Sequence, residues 1–388
     1  MLETCVGLWT DRHFPPELIT QQARAFGESE HVDGVLIPDQ LAGFVPRQLW
    51  TPENTPLAGV IGDPDSALDA FMVAPYLHAL APDLGLHLTT DSIRRAPAEL
   101  VQSMLTLAHL TGGRATFQIG AGEAKQTVPF GHPARQGLSR LEDLLRIYRR
   151  VLEHDGPFDF DGRRTHFRGA FLGGARSAPP TVWALGGGPK LTDVATSYAD
   201  GIAIAVPNAL SKPERVGETV DMIRTQVEQK GRDPRAFRIG LWVTTLVHPD
   251  RSVLEAAYRN PVIKFVSAAT GRVDVGEWER EGLGLPFPEG WSYPKDLLPY
   301  GLDDELVRTV VDATTEEHVE QAWIVGQPQE VAARILPYLE AGIDWVMPID
   351  YLGVVGDPAD AKASLGGLID LCAALKAGHT LVGSAETR

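Results

Sequence analysis

One alternation runs the length of the chain: a short run rich in β-branched and apolar residues, followed by a longer stretch with helical spacing. Runs of the first kind cover residues 4–9, 34–37, 84–89, 115–119, 181–184, 201–205, 239–247 and 345–349. Between them, amphipathic patterns over 16–28, 97–111, 135–153, 212–230 and 328–341 predict helices. Several of these open on proline and stop near glycine, with Gly231 and Gly342 as C-terminal stops. Strands that alternate with helices pair in parallel and are covered by those helices. Eight such strands predict an α/β fold, a (β/α)8 TIM barrel with insertions at its C-terminal face, and a doubly wound open sheet is the structural alternative. A length of 388 residues exceeds a usual domain of roughly 100–200, yet barrels often run past about 250 as one unit. Residues 1–378 therefore read as a single domain, and 379–388 as a C-terminal tail without fixed structure.

Three stretches exceed a minimal barrel. Residues 39–65 follow the second strand, with Phe44, Val45, Pro46, Trp50 and Ile61 among Pro and Gly. Residues 158–171 read as a hairpin turning at Asp161-Gly162. The largest, 250–314, holds a further helix and then a Gly/Pro/aromatic run over 276–300. Loops that follow barrel strands crowd the catalytic face, so the first and third insertions are expected to roof the site. Trp278, Phe287, Trp291, Tyr293 and Tyr300 either line that roof or pack it onto the barrel.

Charge and cysteine content narrow the function classes. A formal charge of −16 with no offsetting basic block repels a phosphate backbone, which argues against nucleic acid as a partner. Cys5 and Cys372 lie far apart and lack metal-ligand spacing, so neither a disulfide framework nor a zinc site is signalled. The first residues carry an acid where a signal peptide is basic, and no apolar run approaches the ~18 needed to span a bilayer. A cytoplasmic protein, neither exported nor membrane-embedded, is the expectation.

A barrel enzyme keeps its working residues at the C-terminal strand ends. Those ends carry His13, then Asp39-Gln40, then His87-Leu88-Thr89, then Gly120-Ala121-Gly122-Glu123, then Gly186-Gly187-Gly188-Pro189-Lys190. In the last run, consecutive glycines permit close backbone approach, and Pro189 opens a helix whose free N–H groups favour an anion beside Lys190. Phosphate binding is the sharp reading, and an unliganded βα turn the plain one. Glu123 reads as a proton donor or hydrogen-bonding anchor, or as a solvated first-turn glutamate. Asp39 is a site carboxylate or a strand stop, and His13 and His87 are catalytic or structural hydrogen-bonders. Lys125 occupies the third glycine position of the dinucleotide fingerprint that Gly120-Ala121-Gly122 begins, which disfavours a Rossmann site. No zinc-protease, nucleophile-elbow or P-loop pattern is present.

Taken together, Leu84 to Asp91, Arg94-Arg95, Thr111-Gly112-Gly113-Arg114, Gly120 to Glu123, Gly187 to Lys190 and Ile324 to Val331 resemble the luciferase-like family of (β/α)8 oxidoreductases. The similarity is to its branch using the deazaflavin F420. Within that branch, residues 41–47 and the insertion from Arg280 to Pro299 look most like the mycobacterial phthiodiolone ketoreductases, which reduce a long-chain lipid ketone. The resemblance implies that Asp39 and Thr89 meet the deazaflavin, that His87-Leu88 lie behind its central ring across a non-prolyl cis peptide, and that Gly120, Ala121, Gly122 and Glu123 line the ring edge. It places the cofactor phosphate on Gly186, Gly187, Gly188, Pro189 and Lys190. Gln40 stands where many relatives have His, and an amide cannot exchange protons at physiological pH. Acid–base work then falls to Glu123, His13 or water, with Gln40 orienting a substrate oxygen.

The activity implied is hydride transfer between C5 of F420 and a carbonyl or activated double bond of a fairly apolar substrate, in the direction of reduction. A homodimer is the implied assembly. Two alternatives stand beside it: an FMN-dependent monooxygenase of the same superfamily, and a non-catalytic F420-binding protein.

Overall fold

The computed structural model describes residues 2–385 apart from Ser177 and Val275. Its strands in chain order are β1 (Glu3–Gly7), β2 (Gly34–Pro38), β3 (Gly85–Asp91), β4 (Ala115–Gly120), β5 (Phe158–Asp161), β6 (His166–Ala170), β7 (Thr181–Leu185), β8 (Gly201–Val206), β9 (Arg238–Val247), β10 (Ile324–Gly326) and β11 (Trp345–Asp350). Eight of them close into a parallel barrel in the order β1, β2, β3, β4, β7, β8, β9, β11, with β11 returning to β1. The open-sheet alternative is thereby excluded. All eight expected strands are present. The ninth parallel strand, β10, pairs with the end of β9 from Thr245 to Val247 and lies in a stretch that the sequence presented only as a motif.

Helices form where expected, and most open on a residue that leaves the first turn free. Pro16, Pro97, Pro189, Pro213 and Pro328 each stand in a first helical turn, where a missing N–H costs nothing. Gly231 follows the helix Pro213–Gln229 with φ +71°, a left-handed stop that L side chains resist. The last helix, Pro358–Ala385, runs into the stretch expected as a tail, and 386–388 lie outside the described residues.

Two cores result. Outward-facing strand residues such as Val6, Ile37, Leu88, Phe117 and Ile239 pack against the helical layer. Inside the barrel, Cys5, Leu36, Trp183, Ala203, Trp345 and Met347 fill the lumen. The two indoles fit because glycines stand opposite. A Cβ at Gly240 would lie 2.6 Å from the Trp345 ring, and one at Gly201 would lie 2.8 Å from the Trp183 nitrogen. Each buried aromatic of this kind removes roughly 150–250 Å² from water, so these are large contributions to one small lumen.

The insertions differ in kind. β5 and β6 form the expected antiparallel hairpin, and the fully buried carboxylate of Asp143 accepts N–H groups of Arg163, Arg164 and Thr165 at 3.0, 2.6 and 3.0 Å to dock its turn. The first and third insertions share a core that includes Val45, Leu49, Phe265, Phe287, Leu297 and Trp323. Gln48 donates to the Leu302 carbonyl at 2.8 Å, and Asn260 donates to that of Asn54 at 2.6 Å. Trp278 is buried and Phe287 stacks on Trp291 at 3.6 Å, so these aromatics build the inside of the roof.

Candidate active site

The barrel lumen is sealed at one end and open at the other. At the N-terminal end, Glu3 pairs with Arg238 at 3.1 Å and with His87 at 2.9 Å, while Arg238 also holds Asp344 at 2.6 Å. At the C-terminal end, the lumen residues Leu185, Trp242 and Ile349 are only half-buried. The cleft therefore opens where the βα loops gather, over an uncharged floor. Trp242 Nε1 donates to Gln118 Oε1 at 2.7 Å, which fixes the amide's orientation and leaves Gln118 Nε2 buried without a protein partner. A buried donor without a partner carries a desolvation cost that a ligand or water beside it would relieve.

Strand periodicity separates the residues expected around β3. Thr89 reaches the upper lumen, with its carbonyl accepting the Asp39 N–H at 3.0 Å. His87 is one layer deeper, its Nε2 near both Glu3 Oε1 and the Trp345 indole N–H at 3.2 Å. Leu88 points outward into the helical core. Neither side chain stands at the mouth, which corrects the reading of His87 as a strand-end residue. The expected cis peptide at His87–Leu88 is likewise absent; among the described residues the one cis bond is Val206–Pro207. β3 is regular there, with His87 paired to Leu36 and Leu88 to Ile37.

Asp39 is buried and already fully engaged. Its carboxylate accepts from Thr90 Oγ1 at 2.7 Å, from Arg94 at 3.3 Å and from Arg95 at 3.2 Å through each oxygen. Arg94 also binds Asp91, and Arg95 binds Asp69 at 2.9 Å. This network ties the end of β2 to the end of β3 and the following turn. Gln40, next to it, is half-buried with a free amide among the described residues. His13 lies on the exposed rim and contacts Asp63 at 3.0 Å.

The turn after β4 is shaped by backbone contact. Gly122 has φ +87°, and a Cβ at Gly137 would stand 1.5 Å from the Ala121 carbonyl, so the helix Gly137–Glu153 begins flush against the turn. This presents Glu123 at the mouth, about a third exposed, where its Oε2 lies 2.7 Å from Lys125 Nζ. Lys125 is almost fully buried, donates to the Ala42 carbonyl at 3.2 Å and sits 4.1 Å over the Phe44 ring. Gln126 grips the same loop, donating to Ala42 at 2.7 Å and accepting from the Leu41 N–H at 2.6 Å. Burial, with the Glu123 carboxylate nearby, pushes the Tyr293 phenol up; burial with Asp65 and Glu123 does the same to Tyr351. Charge and aromatic surface thus converge on one side of the mouth.

On the other side, Gly187, Gly188, Pro189 and Lys190 are exposed at the start of the helix Pro189–Tyr198, whose first turn carries no acid. Gly186 has φ +133°, and a Cβ on Gly188 would meet nothing within 4 Å. The N–H groups and the ammonium face open space, the arrangement an anion needs.

The structure therefore brings together at the open end Thr89, Gly120, Ala121, Gly122, Glu123 and the Gly186 to Lys190 run, with Asp39 beneath and His13 at the rim. Sequence reasoning missed Lys125, Asp65, Gln118 and Trp242. Lys125 could have been flagged by its spacing, two residues past Glu123 in an otherwise uncharged turn. The partners of the other three come from distant strands and carry no local signal. Among the described residues there is no His/Cys/Asp/Glu group able to hold a metal, and no helix long and apolar enough to cross a membrane.

Residues 47–344 match the family described as luciferase-like monooxygenase. The phthiodiolone/phenolphthiodiolone dimycocerosates ketoreductase of Mycobacterium kansasii is 25% identical over 358 residues, covering 90% of this chain and 95% of that protein. The 5,10-methylenetetrahydromethanopterin reductase of Archaeoglobus fulgidus is 26% identical over 258 residues, covering 66% of this chain and 74% of that protein. Among solved structures, an F420-dependent secondary alcohol dehydrogenase in complex with an F420-acetone adduct superposes with a TM-score of 0.70 at 17% identity, covering 97% of this chain and 99% of that one.

Proposed function

From the premise that the chain belongs to the luciferase-like family, we propose that it is an F420-dependent oxidoreductase reducing a carbonyl or activated double bond of a fairly apolar small molecule. One observation carries the reading. An acidic chain of net charge −16 offers a free helix start with Lys190 beside an uncharged, half-open lumen floor of Leu185, Trp242 and Ile349. That combination fits a flat tricyclic ring with an anionic tail. The ketoreductase and reductase relatives, and the fold shared with an F420 enzyme, support the same choice.

F420, when bound, supplies hydride at its C5. The chain supplies the rest. Gly187, Gly188 and Lys190 would bind the tail phosphate, and Gly120 to Gly122 would approach the ring edge because their backbone has no bulk. Thr89 and the Gln118 amide lie below as hydrogen-bonding groups. Glu123, fixed by Lys125, would orient polar atoms at the mouth, and the joined insertions would keep water out, which strengthens every polar contact inside.

The test is a fluorescence titration of the purified protein with F420 and, separately, FMN. Saturable F420 binding is expected. Binding of FMN alone would overturn the choice and favour the monooxygenase reading. Binding of F420 with no turnover of any carbonyl would favour the non-catalytic carrier.

A further inference from the structure

Reducing a carbonyl requires a proton for the oxygen as well as hydride for the carbon, and Gln40 cannot give one. Glu123 is already engaged, its Oε2 lying 2.7 Å from the buried Lys125 ammonium. A second carboxyl stands nearby. Asp65, on the first insertion, accepts the Gly43 N–H with Oδ1, while its Oδ2 is buried and has no hydrogen-bond partner. The loop is moulded round this side chain, because a Cβ on Gly43 would lie 3.0 Å from Asp65 Oδ1. Gly43 adjoins Ala42, whose carbonyl takes the Lys125 ammonium, so the loop that holds Asp65 is also the loop that meets the Lys125–Glu123 pair.

We propose that Asp65 is the proton donor of the reaction, with Glu123 held in place at the mouth by Lys125. The assignment rests on the hydride-transfer reading above. The groups facing Asp65 are Lys125 from the turn after β4, Asp63 from its own loop, Tyr300 from the third insertion and Tyr351 after β11. Burial pushes its carboxyl up, against the pull of the Gly43 N–H and of Lys125. A carboxyl kept protonated by burial is one that can serve as a proton donor. In the step, the Asp65 O–H bond breaks as an O–H bond forms on the substrate oxygen, while the carbonyl carbon accepts hydride. Asp65 is left as a carboxylate facing Lys125, and it regains its proton from solvent at the rim.

Two measurements decide the assignment. In ligand-free protein labelled with ¹³C at aspartate carboxyls, Asp65 is identified by its loss in Asp65→Asn or, should that variant not fold, in Asp65→Glu. Its midpoint is expected above the ordinary aspartate value of about 3.9. With reduced F420 and 2-decanone, Asp65→Asn is expected to lower kcat by at least ~100-fold with F420 affinity unchanged, and to remove the fall in kcat that wild type shows as pH rises. An Asp65 that titrates at or below the ordinary value, or a variant that keeps the wild-type kcat and pH profile, overturns the assignment. Failure of the wild-type protein to bind F420 strikes the cofactor reading instead, and the ligand-free titration still judges Asp65.

Discussion

Buried charge at the mouth is handled in pairs and networks. Asp39 holds two guanidinium groups, and its carboxylate and the Arg94 side chain are both less than a tenth exposed. Removing one member of such a network strands the others in a low-dielectric setting, which typically costs about 3–5 kcal/mol. Asp39→Ala should therefore lower unfolding stability by about that amount in urea denaturation. A loss under 1 kcal/mol would mean that water compensates the arginines. Asp39 and Glu123 were legible in the sequence because strand ends are where a barrel keeps polar groups. Their partners were not. Arg94 and Arg95 registered only as part of a motif, and Asp65 looked like one more loop acid until the fold folded its oxygen away from water. His87 shows the opposite failure, where a strand-end pattern was right about the strand and one layer off in depth.

Elements supply positions that single residues cannot. The helix Pro189–Tyr198 begins at Gly188, an extended N-cap residue with no side chain to satisfy the first N–H groups. Gly188→Asp should fold normally, since its Cβ has open space, and should gain a few tenths of a kcal/mol from capping. The same carboxylate would fill the anion site, so F420 affinity should fall at least tenfold in the fluorescence titration, about 1.4 kcal/mol. Unchanged affinity would place the tail elsewhere. At the end of β11, Asp350 accepts the N–H of Val247 at 2.9 Å, that of Leu352 at 3.0 Å and the Ser364 hydroxyl at 2.6 Å, joining two strands to the last helix. Burial pushes its carboxyl up to about 6. The folded state then keeps a proton that the unfolded chain has released above about pH 4, so stability falls as pH rises from about 4 to about 6. The loss attributable to this group should be roughly 1–3 kcal/mol, and Asp350→Asn should flatten that part of the stability-versus-pH curve.

At the scale of the whole molecule, the alternation of strand and helix spacing was enough to specify a closed parallel barrel, because eight strands with helical crossovers have few other ways to bury both faces. The short strand β10 escaped because three residues carry no periodicity, and the regular β3 peptide contradicted an expectation drawn from resemblance instead of from these residues. The insertions were visible as excess length, but their shared core was not, since it forms between segments about 200 residues apart in sequence, such as Asn54 and Asn260. The arrangement that results is a lumen sealed by Glu3, Arg238 and His87 below and open above between a lysine–glutamate pair and a glycine-lined helix start. Its central claim is met most directly by determining the structure of the protein with F420 bound. The ring is predicted over Trp242 and Ile349, with the tail phosphate on the Gly187 and Gly188 amides. Density for F420 elsewhere on the molecule, with the barrel mouth empty, would contradict it.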